Sequence, residues 1–136
     1  MKVLFLDIDG VVNSRSTTNF KELYPIDAYM AFLVGKIQLD TDCEVVLSSS
    51  WRNHPDGIAV VEKHIVRVFD TTPHKKGIRG DEVNAWLEKH PEVTRYAILD
   101  DDSDFYPEQN LFKTTFETGL TEDIAKQVTE YLNKEI

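Results

Sequence analysis

Acidic residues stand at the ends of two apolar runs in this sequence. Asp7 and Asp9 close the run at residues 2–7, and a second acidic group follows residues 95–99. The second group contains Asp100, Asp101, Asp102 and Asp104. Carboxylates that meet from two strands repel each other unless a cation joins them. Ligands that are all oxygen select a hard cation, usually Mg²⁺, which combines one or two carboxylates with substrate phosphate.

Hydroxyl and basic residues stand beside other parts of the same pattern. Ser48 ends the apolar run at residues 44–48, and Ser49, Trp51 and Arg52 follow it. The dense basic stretch, residues 74–79, comes just before a predicted helix. Hydroxyls, cations and a helix N-terminus are the groups that surround a bound phosphoryl anion. Together with the acidic groups, they indicate a site for Mg²⁺ and phosphate.

Each motif also has an ordinary structural explanation. Asp-x-Asp-Gly can be a turn, and a serine run can be a helix cap. The triple Asp and the Lys-Lys pair can be solvated surface, and Asp104 can cap a turn. Trp51 and Trp86 are expected to be packing residues. The four histidines lack metal-ligand spacing, which argues against zinc. The coincidence of chemistry at three strand ends, rather than one, favours a site.

Apolar runs and helical periods alternate along the chain. Strands are predicted at residues 2–7, 44–48, 65–69, 95–99 and 111–116, and helices at 26–39, 57–64, 80–90 and 121–133. Short apolar strands favour a parallel sheet of about five strands, with helices on both faces. In such α/β sheets the ligand lies at the carboxyl ends of the strands, so the polar groups are expected to meet there.

Length and composition narrow the classes of protein. The 136 residues predict a single domain, 1–136. The 24 acids and 15 bases give a net charge of -9, which argues against non-specific binding along nucleic acid or an anionic membrane. Cys43 stands alone, so no internal disulfide forms. No apolar run approaches the roughly 20 residues of a membrane helix. The apolar run at the first residues is too short for a signal peptide. A cytoplasmic location without membrane contact is therefore expected.

The motifs resemble, in order, the four signature regions of the haloacid dehalogenase (HAD) superfamily of phosphotransferases. Residues 5–11, Phe-Leu-Asp-Ile-Asp-Gly-Val, are similar to the first region, residues 45–48 to the second and residues 97–101 to the fourth. The third region is a basic residue near a helix start. Its candidates here are Lys75, Lys76 and Arg79.

Finer details resemble a small HAD subgroup that is also found as a domain of RNA-repair proteins. They are Ser-Ser-Trp-Arg, Arg-Gly-Asp-Glu-Val-x-x-Trp-Leu and Leu-Asp-Asp-Asp. The resemblance implies a three-layer α/β/α Rossmann-like core. Residues 10–25 are too short for a folded cap domain, so none is expected. Capless members of the family look open enough for proteins or nucleic-acid ends, or borrow a lid by oligomerising.

The resemblance also implies roles in an Mg²⁺-dependent phosphohydrolase that forms an aspartyl-phosphate. Asp7 would be the nucleophile, and Asp9 would act first as general acid and then as general base. Residues i and i+2 of an extended segment share one side, so both carboxylates can face one phosphate. Ser48 would hydrogen-bond a phosphoryl oxygen, with Ser49 as the alternative. Lys76 or Arg79 would balance the negative charge of the nucleophile and the phosphate. The implied catalytic residues are therefore Asp7, Asp9, Ser48, Lys76 and Arg79.

The implied metal ligands are Asp7, the backbone carbonyl of Asp9, and Asp100 and Asp101, directly or through water. Asp104 is an outer candidate. Substrate contacts are expected from Gly10, Ser49 and Arg52, with Arg15 and Lys21 as further local candidates. The expected partner is a phosphorylated substrate, either a small molecule or a nucleic-acid end.

Two other classes compete with the phosphatase interpretation. A receiver-type phosphoacceptor also uses acidic residues, a Ser or Thr and a Lys, but it places its acidic pair first and its acceptor Asp on a middle strand. Here Asp7 and Asp9 open the chain and the Asp cluster comes late. A non-catalytic binding module of the same fold is the other alternative. Intact Asp7 and Asp9 argue against it.

Overall fold

A computed structural model describes residues 1–18 and 22–135 of the chain. Strands and helices alternate along this part. They are β1 (Lys2–Leu6), α1 (Ala28–Thr41), β2 (Glu44–Leu47), α2 (Pro55–His64), β3 (Asp70–Thr71), α3 (Arg79–Glu88), β4 (Arg95–Asp100), β5 (Leu111–Lys113) and α4 (Glu122–Leu132). A 3₁₀ turn, Ser50–Asn53, connects β2 to α2. None of these helices is long and apolar enough to cross a membrane.

The five strands form one parallel sheet in the order β3-β2-β1-β4-β5. β1 lies at the centre, and Leu6 pairs with Leu47 on one side and with Leu99 on the other. This register brings the carboxyl ends of β1, β2 and β4 to the same level. The predicted five-stranded parallel sheet is confirmed.

Each face of the sheet is covered by helices. Leu4 and Leu6 of β1 lie in a core with buried residues of α1, α2 and α4, while Val3 and Phe5 lie in a second core with α3. The Phe5 ring meets Trp86 edge-on, with centroids 5.5 Å apart. Alternation of buried side chains along β1 therefore produces the predicted three-layer core, and each large buried apolar side chain contributes about 1.5–3 kcal/mol.

Local capping residues fix the start of the helices. The carboxylate of Asp27 accepts hydrogen bonds from the backbone N–H groups of Tyr29 and Met30 at 2.9 and 3.1 Å, and so begins α1. Thr121 accepts from the N–H of Ile124 and begins α4. These caps anchor the two helices that pack together beneath the sheet.

The third strand is the element whose position was wrongly predicted. The prediction placed it at residues 65–69, whereas β3 consists of Asp70 and Thr71. Residues 65–69 are apolar because Ile65, Val66 and Val68 pack against the core from a loop. Partial burial of a loop against the core gives the same apolar sequence signal as a strand.

No helix or strand occurs in residues 7–18 and 22–27, the described part of the segment between β1 and α1. This agrees with the predicted absence of a folded cap. Lys21, a candidate for substrate contact, lies outside the described residues.

Candidate active site

Backbone pairing continues for one residue beyond the ends of the central strands. The N–H of Asp7 donates to the carbonyl of Leu99 at 3.0 Å, and the N–H of Ser48 donates to the carbonyl of Leu6 at 2.9 Å. Asp7 therefore lies between Ser48 and Asp100 at the carboxyl edge of the sheet. The polar groups of three predicted strand ends meet here.

Three carboxylates form a cluster at this edge. One oxygen from each of Asp7, Asp100 and Asp101 lies within 4.8 Å of the others. Asp7 and Asp100 are buried, and Asp101 is half-buried. The carboxylate of Asp9, two residues after Asp7, is not part of the cluster. An all-oxygen donor set of this kind fits a hard divalent cation.

Burial of these carboxylates makes their negative charge unfavourable. Burial, and then the neighbouring charge of Asp100, raises the pKa of Asp7 to about 8. Burial also raises the pKa of Asp100, although the N–H of Asp102 donates to its Oδ1 at 2.9 Å and opposes the shift. A bound cation would offset the repulsion, so the donor set and its electrostatics both fit a metal ion.

Arg79, the first residue of α3, lies against the cluster. Its Nη1 is 3.1 Å from Asp100 Oδ2 and 3.5 Å from Asp7 Oδ1. Asp104 Oδ2 accepts from the backbone N–H of Arg79 at 3.1 Å, so Asp104 caps this helix. Lys76 is exposed and makes no ion pair with any described residue. Of these two basic candidates, the structure brings Arg79 to the carboxylates.

The serines after β2 differ in their hydrogen bonding. Ser49 Oγ accepts from the N–H of Trp51 at 3.1 Å and caps the 3₁₀ turn. Ser48 Oγ is buried and has no hydrogen-bond partner among the described residues, and the same holds for Thr72 Oγ1 at the end of β3. An unpaired buried hydroxyl costs about 1–3 kcal/mol, so each of these two requires a partner outside the described residues, such as water or a ligand. Sequence reasoning missed Thr72, since no motif marks it.

Gly10 provides the space in which Asp101 lies. Its φ is +80°, and a Cβ there would lie 2.1 Å from Asp101 Oδ2. The Gly10 carbonyl accepts from Thr114 Oγ1 at 2.6 Å, and its N–H donates to Asn13 Oδ1 at 3.0 Å. The turn after β1 is therefore held to β5 while leaving room for the acidic cluster.

Arg52 joins the ends of two strands to α3. Its Nη1 donates to the carbonyls of Ser48 and Ser49, and its Nε donates to the carbonyl of Thr72, at 2.8, 2.9 and 3.0 Å. Its Nη2 contacts His74 Nδ1 at 3.1 Å and Glu82 Oε2 at 2.9 Å. Four of the five N–H donors of the guanidinium thus have oxygen partners within the protein, and His74 Nδ1 accepts from the fifth when that nitrogen is unprotonated.

Other basic residues near the site are engaged or remote from the cluster. Lys75 is exposed, and its ammonium group makes no ion pair with any described residue. Arg15 forms an exposed ion pair with Glu117 at 3.1 Å. Exposed ion pairs of this type contribute little to stability, and Arg15 can exchange its partner at small cost.

Asp9 is exposed, yet protein side chains hold both of its carboxylate oxygens. Asn13 Nδ2 donates to Oδ1 at 3.0 Å, and Trp51 Nε1 donates to Oδ2 at 3.2 Å. Trp51 is buried, as predicted for a packing residue. Its role as a donor was missed, because Trp51 is 42 positions from Asp9 along the chain.

A groove of about 1080 Å³ lies between α1 and α2, away from these groups. None of the predicted site residues lines it. The acidic cluster, with its cationic partner and unpaired hydroxyl, therefore identifies the candidate site better than concavity does.

The parallel α/β core and the acidic cluster at the ends of β1 and β4 define an HAD-type domain. At the level of the superfamily, this class of domain supports phosphohydrolase activity. Within that class, the chain belongs to the family described as "HAD domain in Swiss Army Knife RNA repair proteins", whose sequence model matches residues 3–125. No curated protein and no solved structure matches the chain.

Proposed function

We propose that this protein is an Mg²⁺-dependent phosphomonoesterase that works through a phosphorylated Asp7. The observation that carries this proposal is the cluster of Asp7, Asp100 and Asp101, with Arg79 in contact with two of its members. Burial makes such a cluster unfavourable unless a cation joins it, and the cation can in turn attract an anionic substrate. The family membership supports hydrolysis of a phosphate ester.

The proposed reaction has two displacements at phosphorus. In the first, a carboxylate oxygen of Asp7 forms a bond to phosphorus while the bond to the leaving oxygen breaks, and Asp9 gives that oxygen a proton. In the second, water attacks the phosphorus of the aspartyl-phosphate while Asp9 takes a proton from the water. The acyl phosphate bond breaks, which releases inorganic phosphate and restores the Asp7 carboxylate.

The remaining groups stabilise charge during these steps. The unpaired Ser48 hydroxyl donates to a phosphoryl oxygen, and Arg79 lies where negative charge accumulates between Asp7 and the phosphate. Asp7, Asp100, Asp101 and the backbone carbonyl of Asp9 would hold Mg²⁺. The ion supplies positive charge that offsets the carboxylates and the phosphoryl oxygens.

The substrate we propose is a phosphate at the end of a polynucleotide, with nucleotides and other small phosphomonoesters as alternatives. The described segment between β1 and α1 lacks a folded cap, which leaves room for a large substrate. The description of the family connects related domains with RNA repair. The net charge of -9 favours contact with a terminal phosphate over binding along a strand.

Hydrolysis of p-nitrophenyl phosphate tests the reaction. We expect turnover that requires Mg²⁺, disappears with a chelator and falls at least 10³-fold in Asp7→Asn, which lacks the nucleophile. Asp102→Asn is the matched control, because its exposed carboxylate adjoins the cluster without belonging to it. The substrate is then sought among nucleotides, sugar phosphates, phosphopeptides and oligonucleotides phosphorylated at the 5′ or 3′ end. Wild-type activity no higher than that of Asp7→Asn on every substrate would contradict the proposal.

A further inference from the structure

The carboxylate of Asp9 is held by two side-chain donors, one on each oxygen. Asn13 Nδ2 lies 3.0 Å from Oδ1, and the indole Nε1 of Trp51 lies 3.2 Å from Oδ2. Asp9 is exposed, so water could satisfy both oxygens without help from the protein. The two side-chain donors are therefore not needed to satisfy the carboxylate. Their effect is to hold it in one orientation.

The indole donor is held firmly in place. Trp51 is 6% exposed, and its backbone N–H donates to Ser49 Oγ at 3.1 Å. Its ring meets Tyr24 edge-on, with centroids 5.0 Å apart. Close packing against α2 adds to this, because a Cβ on Gly57 would lie 2.7 Å from the Trp51 carbonyl oxygen. The N–H group thus points at Asp9 from a rigid support.

The amide donor is equally constrained. Asn13 is buried, its Oδ1 accepts from the N–H of Gly10 at 3.0 Å, and its Nδ2 also donates to the carbonyl of Pro25 at 2.9 Å. Each oxygen of a carboxylate has two lone pairs, so one N–H on each leaves a second lone pair free. The plane of the Asp9 carboxylate is fixed while proton transfer stays possible.

We propose that Trp51 is a positioning residue for proton transfer by Asp9, acting through its indole N–H. The inference rests on the proposed function, since it assigns to Asp9 the acid and base steps. Proton transfer requires the donor and acceptor to lie within hydrogen-bond reach in the correct orientation. Groups at such sites must hold their geometry within about 0.5 Å and 10–20°. A rigid, buried indole meets this requirement better than mobile water.

The test separates proton transfer from phosphoryl transfer. p-Nitrophenolate leaves without a proton, so its burst reports attack by Asp7 alone, whereas a simple alkyl phosphate needs a proton on its leaving oxygen. We expect Trp51→Phe to keep the burst rate constant within about twofold and to slow alkyl phosphate turnover about tenfold, a part of the 10²–10⁴ that acid–base catalysis supplies. Equal slowing of both would indicate a merely structural role and overturn the inference.

A double-mutant cycle gives the second readout. If Trp51 acts through Asp9, Trp51→Phe should change the alkyl phosphate rate of Asp9→Asn by less than about twofold, because the group it positions is gone. A further tenfold loss in that background would overturn the inference while leaving the phosphatase intact. Absence of any Asp7-dependent turnover in the wild type would instead overturn the proposed function, and this inference with it.

Trp86→Phe is the matched control for the substitution. Trp86 is also buried, and its indole Nε1 donates to Asp70 Oδ2 at 2.9 Å on the face covered by α3. Trp86→Phe removes the same kind of hydrogen bond. We expect the ratio of its burst rate constant to its alkyl phosphate turnover to match that of the wild type. If Trp51→Phe does not fold, benzothienylalanine at position 51 replaces the N–H by sulfur at nearly constant shape, and the same two outcomes apply.

Discussion

Several polar side chains at this site lie in buried positions that lower the stability of the fold. Asp7 and Asp100 are ionisable groups in a buried position, and Ser48 Oγ is a buried hydroxyl with no partner in the described chain. Each of these lowers stability when considered alone. Their concentration at one edge of the sheet, beside Arg79, is the pattern expected of a functional site.

Gly10 tests how closely the turn after β1 fits the acidic cluster. Gly10→Ala places a Cβ 2.1 Å from Asp101 Oδ2 at a φ of +80°, a conformation that costs an L-residue about 1–2 kcal/mol. We expect lower stability by at least that amount and weaker Mg²⁺ binding, measured by urea unfolding and by metal titration of activity. Gly35→Ala is the control, because its Cβ meets only Ile65 O at 3.7 Å within α1. That change should raise stability by about 0.5–1 kcal/mol with unaltered Mg²⁺ affinity. Normal Mg²⁺ affinity in Gly10→Ala would contradict the account.

The types of residue at the site could be predicted from the sequence, but many of their contacts could not. The ends of apolar runs placed Asp7, Ser48 and Asp100 correctly at the carboxyl edge, because parallel strands share that edge. The hydrogen bond from Trp51 to Asp9 depends on how the 3₁₀ turn packs, which periodicity does not encode.

At the scale of elements, α3 completes the site. Its N-terminus brings Arg79 to the carboxylates, and Asp104 from the loop after β4 caps that helix start. From the sequence, Lys75, Lys76 and Arg79 were all candidates for the basic residue of the third signature region. The exact first residue of a helix decides which basic side chain turns towards the sheet, and the sequence does not fix that residue. A shift of the helix start by a few residues exchanges these candidates.

Arg52 holds separate elements together near the site. It connects the carbonyls at the ends of β2 and β3 to Glu82 of α3, and both charged side chains are largely buried. Substrate contact was expected of Arg52 from its type and place in the chain. Its donors are engaged within the fold, so its support of the segment that carries Ser48 is the better explanation.

Arg79 and Lys76 provide the sharpest test at this scale. Arg79→Ala should lower kcat about 10²–10³-fold, as loss of a transition-state charge partner does, because no other described cation lies within 4.0 Å of Asp7 or Asp100. Lys76→Ala should change kcat less than about threefold, since Lys76 makes no ion pair in the described structure. Steady-state kinetics with p-nitrophenyl phosphate measures both. A large loss in Lys76→Ala with a small one in Arg79→Ala would reverse the assignment.

At the scale of the whole molecule, the acidic site depends on the complete fold. β1 and β4 carry Asp7 and Asp100 from positions 93 residues apart, and only the folded sheet brings them together. The unfolded chain keeps these carboxylates apart in water. Binding of the proposed Mg²⁺ to the cluster would therefore be coupled to folding, and part of the net charge of -9 is a local feature of this edge of the sheet.

The pH dependence of stability measures this coupling. The pKa of Asp7 is raised from 3.8 to about 8, so the folded state retains a proton between these pH values that the unfolded state has released. Stability without metal should therefore fall as pH rises from about 4 to about 8. Mg²⁺ favours the ionised cluster, so its stabilising effect should be larger at pH 8 than at pH 5, near 2.7 kcal/mol at a concentration of about 100 times Kd. Urea unfolding at both pH values, with and without Mg²⁺, measures each quantity. Asp7→Asn is the reference: relative to the wild type it should gain stability as pH rises and respond less to Mg²⁺. Equal Mg²⁺ stabilisation of both proteins would show that the ion binds elsewhere.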